Sequence, residues 1–166
     1  MKKIMIIGCC GSGKTTLARK MAEKLRLPLV HLDVLYWRDG WTNVSREEFD
    51  RLLAEELEKP CWIMDGNFGR TIPARLEKCD TVIWLDYNRW VCLTGVIGRV
   101  LRGYGKTRPD MGGNCPERFD REFLKFVWNF RRTDRPKYHG WLAGATHAQV
   151  VILKNRRQAA RFLQTL

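Results

Sequence analysis

The chain alternates short apolar runs with stretches of helical periodicity. The run through Lys3–Ile7 is apolar on consecutive positions and ends at Gly8, the pattern of a central strand buried on both faces. Leu17, Met21 and Leu25 then repeat at helical spacing beside Ala18 and Ala22 until Pro28 stops the pattern. Leu29–Leu32 reads as a second strand. Ser45 with Glu48 forms a capping box ahead of Phe49, Leu52, Leu53 and Leu57, which predicts a helix over 45–58. Cys61–Met64 and Thr81–Leu85 are the third and fourth strands. Leu93, Val96, Ile97, Val100 and Leu101 mark a long helix ending near Gly103. Residues 103–116 hold four glycines and two prolines without an apolar period and read as a loop. Phe119, Phe123, Phe126, Val127 and Phe130 open another helix. Gln149–Leu153 is a fifth strand, and Ala159, Phe162, Leu163 and Leu166 mark a terminal helix. Strands alternating with helices predict a mostly parallel sheet covered on both faces, in one domain over 1–166, with ligands outside the C-terminal ends of the strands.

Composition narrows the class. At 166 residues and 45% hydrophobic, the chain has the means to bury a core, which excludes wholesale disorder. No apolar run reaches ~18 residues, so no membrane-spanning helix is expected. The opening Met1–Ile7 is too short for a signal peptide, and a cytoplasmic location is the expectation. Six cysteines show no C-x-x-C spacing, which argues against zinc and against a disulfide scaffold and favours reduced, packed thiols. The net charge of +12 is unevenly placed: residues 1–88 carry +1, residues 89–138 carry +7 and residues 139–166 carry +4. A positive region of this kind faces a polyanion, either nucleic acid or a nucleoside triphosphate.

Candidate chemistry concentrates after the first strand. Gly8-Cys9-Cys10-Gly11-Ser12-Gly13-Lys14-Thr15 matches G-x-x-x-x-G-K-[ST] between a predicted strand and a predicted helix. Glycines let the backbone curl and present successive N–H groups to phosphate oxygens, and the helix adds its positive end. Gly8, Gly11, Ser12, Gly13, Lys14, Thr15 and Thr16 are therefore the expected ATP-binding residues. Lys14 serves the β- and γ-phosphates and the Thr15 hydroxyl serves Mg²⁺. An ordinary glycine turn is the competing reading, and the strand–helix context disfavours it.

Asp33, Asp65 and Asp86 each follow a predicted strand and so share the rim with Lys14. One would enter the Mg²⁺ shell and another would orient an acceptor hydroxyl, unless they only terminate strands. Trp37 and Trp41 offer either a stacking wall for an acceptor or a hydrophobic anchor for their loop. Arg99, Arg102, Lys106 and Arg108 surround the glycine-rich loop, and Arg131, Arg132 and Arg135 follow the Phe-rich helix. This spacing predicts a basic lid over about 99–135 that closes on the triphosphate and excludes water, against the alternative of a solvated basic face. Asn155 and Arg156 either flank the adenine or begin the last helix.

With Thr16 included, the glycine loop resembles that of small P-loop kinases of the adenylate kinase and shikimate kinase type. Asp65-Gly66-Asn67-Phe68-Gly69-Arg70 is similar to the Asp-Gly-Phe-Pro-Arg element of adenylate kinases, with one residue more and no proline. Arg108-Pro109 resembles the lid arginine of shikimate kinases. His31-Leu32-Asp33, Leu35-Tyr36-Trp37, Gly40-Trp41, Trp62-Ile63-Met64-Asp65-Gly66-Asn67 and Ile152-Leu153-Lys154-Asn155-Arg156 are more similar still to the FlaR-like DNA topology modulation proteins.

These resemblances imply a three-layer αβα P-loop NTPase fold with a five-stranded parallel sheet. They imply an ATP- and Mg²⁺-dependent kinase for a nucleotide-like or small hydroxylated acceptor. Asp65 would stand in the metal shell, Asp33 would orient the acceptor, and Arg70, Trp37, Trp41, Arg131 and Arg132 would hold it. Arg102 and Arg108 would act from the lid. The competing function is an ATP-dependent, DNA-associated regulator, although the sequence shows no helix-turn-helix or zinc-finger reader. Nor does it contain an Asn-Lys-x-Asp element for guanine, and it carries no signal for oligomeric state.

Overall fold

A computed structural model describes residues 1–166. The first strand, β1 (Lys3–Gly8), leads through the glycine loop into α1 (Lys14–Leu25). Then come β2 (Leu29–His31), the short helix α2 (Leu32–Tyr36), and a hairpin of β3 (Trp37–Arg38) and β4 (Thr42–Asn43). The chain continues through α3 (Arg46–Glu58), β5 (Trp62–Asp65), α4 (Ile72–Lys78), β6 (Thr81–Leu85) and α5 (Arg89–Gly103). It ends with α6 (Arg121–Thr133), α7 (Arg135–Ala143), β7 (Gln149–Leu153) and α8 (Arg156–Thr165).

The main sheet is five-stranded and parallel in the order β2-β5-β1-β6-β7. Every residue of β5 and β6, and all but Lys3 of β1, is buried. Since successive side chains in a strand point to opposite faces, burial at consecutive positions means that helices cover the sheet on both sides. This is the expected three-layer α/β architecture, and no helix is long and apolar enough to cross a membrane.

The local signals act as the sequence suggests. Ser45 accepts a hydrogen bond from the Glu48 amide at 3.1 Å and starts α3. The Phe-rich helix begins two residues later than Phe119, because the Asp120 carboxylate accepts from the Phe123 amide and caps α6 there. The second strand is shorter than expected: it stops at His31, and Leu32 turns into α2. Asp33 therefore lies in the first turn of a helix rather than just beyond a strand.

Asp86, one of the three rim aspartates, is committed to holding the fold. Its two carboxylate oxygens accept from Arg135 at 2.8 and 2.9 Å, and one also accepts from Lys154 at 2.6 Å. Burial opposes its ionisation, but Arg135 and Lys154 more than offset this and hold its carboxyl at about 2. A folded-state value below the ordinary ~3.9 gives a stabilisation that is complete above pH ~4 and is lost as pH falls toward 2. Asp86→Asn is expected to cost about 2 kcal/mol at pH 7 and to flatten the acid limb between about pH 4 and 2, read by thermal melts across that range.

Candidate active site

The glycine loop leaves β1 at the centre of the sheet. Gly11 and Gly13 have φ of 79° and 94°, values that side chains rarely adopt, so the glycines are required by the turn itself. Gly13 caps α1 without a side-chain acceptor, which leaves the first amides of a 12-residue helix free to meet an anion. Lys14 folds back so that its Nζ donates to the Cys9 carbonyl at 3.1 Å.

The loop is braced from outside by α5. A methyl group on Gly95 would overlap the Gly11 carbonyl oxygen, and one on Gly11 would overlap the carbonyl of Cys92. Backbone therefore lies directly on backbone at this crossing. Gly95→Ala is expected to push the loop out of its anion-binding shape and cost about 2 kcal/mol or more, with loss of ATP binding in a calorimetric titration.

Asp65 is the last residue of β5 and is 6% exposed. Its Oδ2 accepts from the Thr15 hydroxyl at 2.6 Å and lies 3.2 Å from His31 Nδ1. Burial works against its ionisation; the His31 contact, the Lys14 charge and the Thr15 hydroxyl together win and keep its carboxyl below the usual range. The other oxygen, Oδ1, is buried and unpartnered. An orphaned carboxylate oxygen beside a hydroxyl is a hard-oxygen donor set that fits Mg²⁺, an ion that completes its shell from water and phosphate oxygens. No group of three or more His, Cys, Asp or Glu residues suggests any other metal centre.

Asp33 faces the same space, half-buried. Burial raises its carboxyl above the ordinary carboxylate range, and the charge of Arg108 only partly compensates. The segment after β5 is fixed by Arg75, which is wholly buried and donates to the carbonyls of Gly66, at 2.9 Å, and of Asn67. Burial lowers the Arg75 guanidinium to about 10. The segment in turn places the Asn67 side-chain oxygen 3.2 Å from the Gly8 amide, where it accepts a hydrogen bond.

The loop after α5, where a lid was expected, is docked onto the aromatic segment. Trp41 Nε1 donates to the Pro116 carbonyl at 3.1 Å, and the Gly40 amide donates to the Asn114 carbonyl at 2.9 Å. Trp37 and Trp41 meet edge to face with centroids 5.4 Å apart, and the Arg118 guanidinium stands 5.8 Å from the Trp41 ring. Trp41 anchors this loop, and both tryptophans line the cavity beside it.

That cavity measures about 930 Å³. It gathers Gly11, Ser12, Gly13, Lys14, Thr15, Thr16, Asp33, Trp37, Trp41, Asp65, Arg99, Arg102, Arg108 and Arg156 from the sequence-predicted set. It does not gather the others. Gly8 belongs to β1 behind the loop. Arg70, expected to hold the acceptor, instead forms a two-pronged ion pair with Asp50 on the surface. Its short helical turn aims it away from the strand ends. Arg131 and Arg132 lie at the end of α6 and do not line the cavity. Asn155 caps α8 by accepting from the Gln158 amide at 2.9 Å. Together with Val91, Thr94, Arg156 and Arg157 it borders a second cavity of about 450 Å³. The sequence reading missed Asn67, Arg118 and Glu117, all of which border the main cavity, together with Arg75 beneath it.

No protein-family model matches the chain, and no curated protein does. Solved structures do share its fold. A shikimate kinase from Acinetobacter baumannii in complex with shikimate superposes with a TM-score of 0.64 at 16% identity, covering 99% of this chain and 90% of that one. A shikimate kinase from Bacteroides thetaiotaomicron superposes with a TM-score of 0.53 at 19% identity, covering 98% and 94%. The chain therefore has the P-loop kinase fold along its whole length. At these identities the likeness establishes architecture alone.

Proposed function

We propose that this protein is an ATP-dependent small-molecule kinase that transfers the γ-phosphoryl group to a small hydroxylated or nucleotide-like acceptor. One observation carries the reading: the free amides of the glycine loop, Lys14, two carboxylates with opposite shifts and a docked basic lid all open into one cavity.

The loop amides and Lys14 hold the β- and γ-phosphates, with Lys14 exchanging the Cys9 carbonyl for a phosphate oxygen. Thr15 and Asp65 would hold Mg²⁺, which when bound screens the charge of the phosphates. Asp33 orients the acceptor hydroxyl and accepts its proton, a role suited to a carboxyl that burial raises above the ordinary carboxylate range. Trp37 and Trp41 wall the acceptor, while the lid excludes water that would otherwise take the phosphoryl group. In this reading Asn155 and Arg156, which border the second cavity with Val91 and Thr94 of α5, would flank the base of the nucleotide. The test is a screen of nucleosides, nucleotides and small hydroxy metabolites for acceptor-stimulated ADP release; stimulation by none of them overturns the reading.

The basic surplus after residue 88 supports the competing reading of a DNA-associated regulator, to which the FlaR-like resemblance also points. Part of that surplus is turned inward, since Arg99, Arg108, Arg135 and Lys154 are paired with Glu117, Asp110 and Asp86. Duplex DNA binding that is sequence-dependent and survives physiological salt would favour the regulator.

A further inference from the structure

We infer that Arg99, positioned by Glu117, is the guanidinium that meets the transferring phosphate, and that Arg108 braces the lid instead. The inference rests on the kinase reading and assigns a role within it.

Arg108 has little left to offer a ligand. Its Nε lies 2.6 Å from Glu117 Oε1, its Nη1 donates to Asp110 Oδ2 at 2.5 Å, and its Nη2 lies 3.0 Å from the Met111 sulfur. Each nitrogen of the fork meets a group of the lid itself. Asp110 in turn reaches Arg19 of α1 at 3.4 Å, which ties the lid down on the helix that follows the phosphate loop.

Arg99 differs on each count. It makes one ionic contact, from Nε to the same Glu117 Oε1 at 3.1 Å, and its guanidinium lies 5.7 Å from the Phe123 ring centroid. Both Nη groups remain without a protein acceptor, and the residue, like Arg108, lines the main cavity. Its place on α5 matters as much. Arg99 follows Gly95 by four residues and so stands one helical turn, about 6 Å along the axis, from the point where α5 touches Gly11. Its root is fixed relative to the phosphate loop by backbone contact, whereas Arg108 sits on the lid itself.

Glu117 has the features of a positioning residue. It is 3% exposed, and its amide and carbonyl are held by Lys106 and Gly105 at 3.0 and 2.9 Å. One of its oxygens is shared by two guanidinium Nε atoms, and neither approach has the angle of a directed hydrogen bond. Engaging Arg99 at Nε leaves its paired Nη edge for an anion.

The test uses the full chain and two readouts: calorimetric binding of inorganic tripolyphosphate, and acceptor-stimulated ADP release. Arg99→Gln is expected to raise the tripolyphosphate Kd about tenfold or more and to lower kcat about a hundredfold. Arg108→Gln should leave that Kd within about threefold of the wild type while lowering the Tm. Glu117→Gln removes the shared negative charge but keeps the shape, so tripolyphosphate should bind at least as tightly while kcat falls about tenfold through loss of aim. A structural role for Glu117 would instead weaken binding in step with the Tm, and that result overturns its assignment. A larger loss of tripolyphosphate binding in Arg108→Gln than in Arg99→Gln overturns the arginine assignment. If the wild type binds tripolyphosphate with these rankings yet turns over no acceptor, the phosphate contact stands and the kinase reading falls.

Discussion

Lys14→Ala is expected to lower kcat by about a thousandfold while leaving the melting temperature nearly unchanged. The ammonium group is the one mobile cation at the end of the glycine loop, and its sole hydrogen bond in the structure, to the Cys9 carbonyl, is one the fold can lose cheaply. The loop's shape comes from elsewhere: the positive φ values of Gly11 and Gly13 and the backbone contact between Gly11 and Gly95. Stability should therefore move by less than ~1 kcal/mol, the usual range for a side chain that is not in the core. Acceptor-stimulated ADP release and a thermal melt on the same preparation check both halves. Undiminished turnover would remove Lys14 from the mechanism.

Asp33→Asn is expected to have an effect of similar size on rate and, unlike Lys14→Ala, to raise stability. A general base contributes about 10²–10⁴ to rate, so a loss near a thousandfold is expected. Because burial raises the Asp33 carboxyl in the folded chain, ionising it costs stability at every pH above its raised value. The neutral amide carries no such cost, so the variant should melt higher than the wild type at neutral pH while being nearly inactive. The wild-type kcat/KM should fall with an acid limb above the ordinary aspartate range as Asp33 takes up its proton, and the residual activity of the variant should lack that limb. A variant that melts lower and keeps the limb would place the titrating group elsewhere.

How much of this was legible in the sequence depended on how far each feature is a local property. The central strands β1, β5 and β6 announced themselves because burial on both faces forces unbroken apolar runs, while the edge strands β2 and β7, only partly buried, showed as short apolar runs between helices. The phosphate loop did so because only glycine tolerates its backbone angles. α2 and α4, of five and seven residues, are too short for a helical period to repeat, and α7 carries little apolar periodicity. The β3–β4 hairpin has two residues per strand, which no alternation can reveal.

At the site, the limit was side-chain direction. Arg70 follows the β5 rim in sequence, but its turn sends it to Asp50 on α3, twenty residues earlier. Asp86 stands at a strand end just as Asp65 does, yet Arg135 and Lys154, distant in sequence, occupy both its oxygens. Arg75 looks like any surface arginine of an amphipathic helix and is wholly buried under the carbonyls of Gly66 and Asn67. Arg99 and Arg108 carry the same charge about the same loop; their partners, and the place of one on α5 and of the other in the loop, separate them.

The most direct test of the account is a crystal structure with Mg·ATP bound. The β- and γ-phosphates should lie in the curl of Gly11–Thr15, with Lys14 Nζ moved from the Cys9 carbonyl onto a phosphate oxygen and Asp33 open to the acceptor side. A nucleotide bound elsewhere, with the loop vacant and Lys14 still on Cys9, would contradict it.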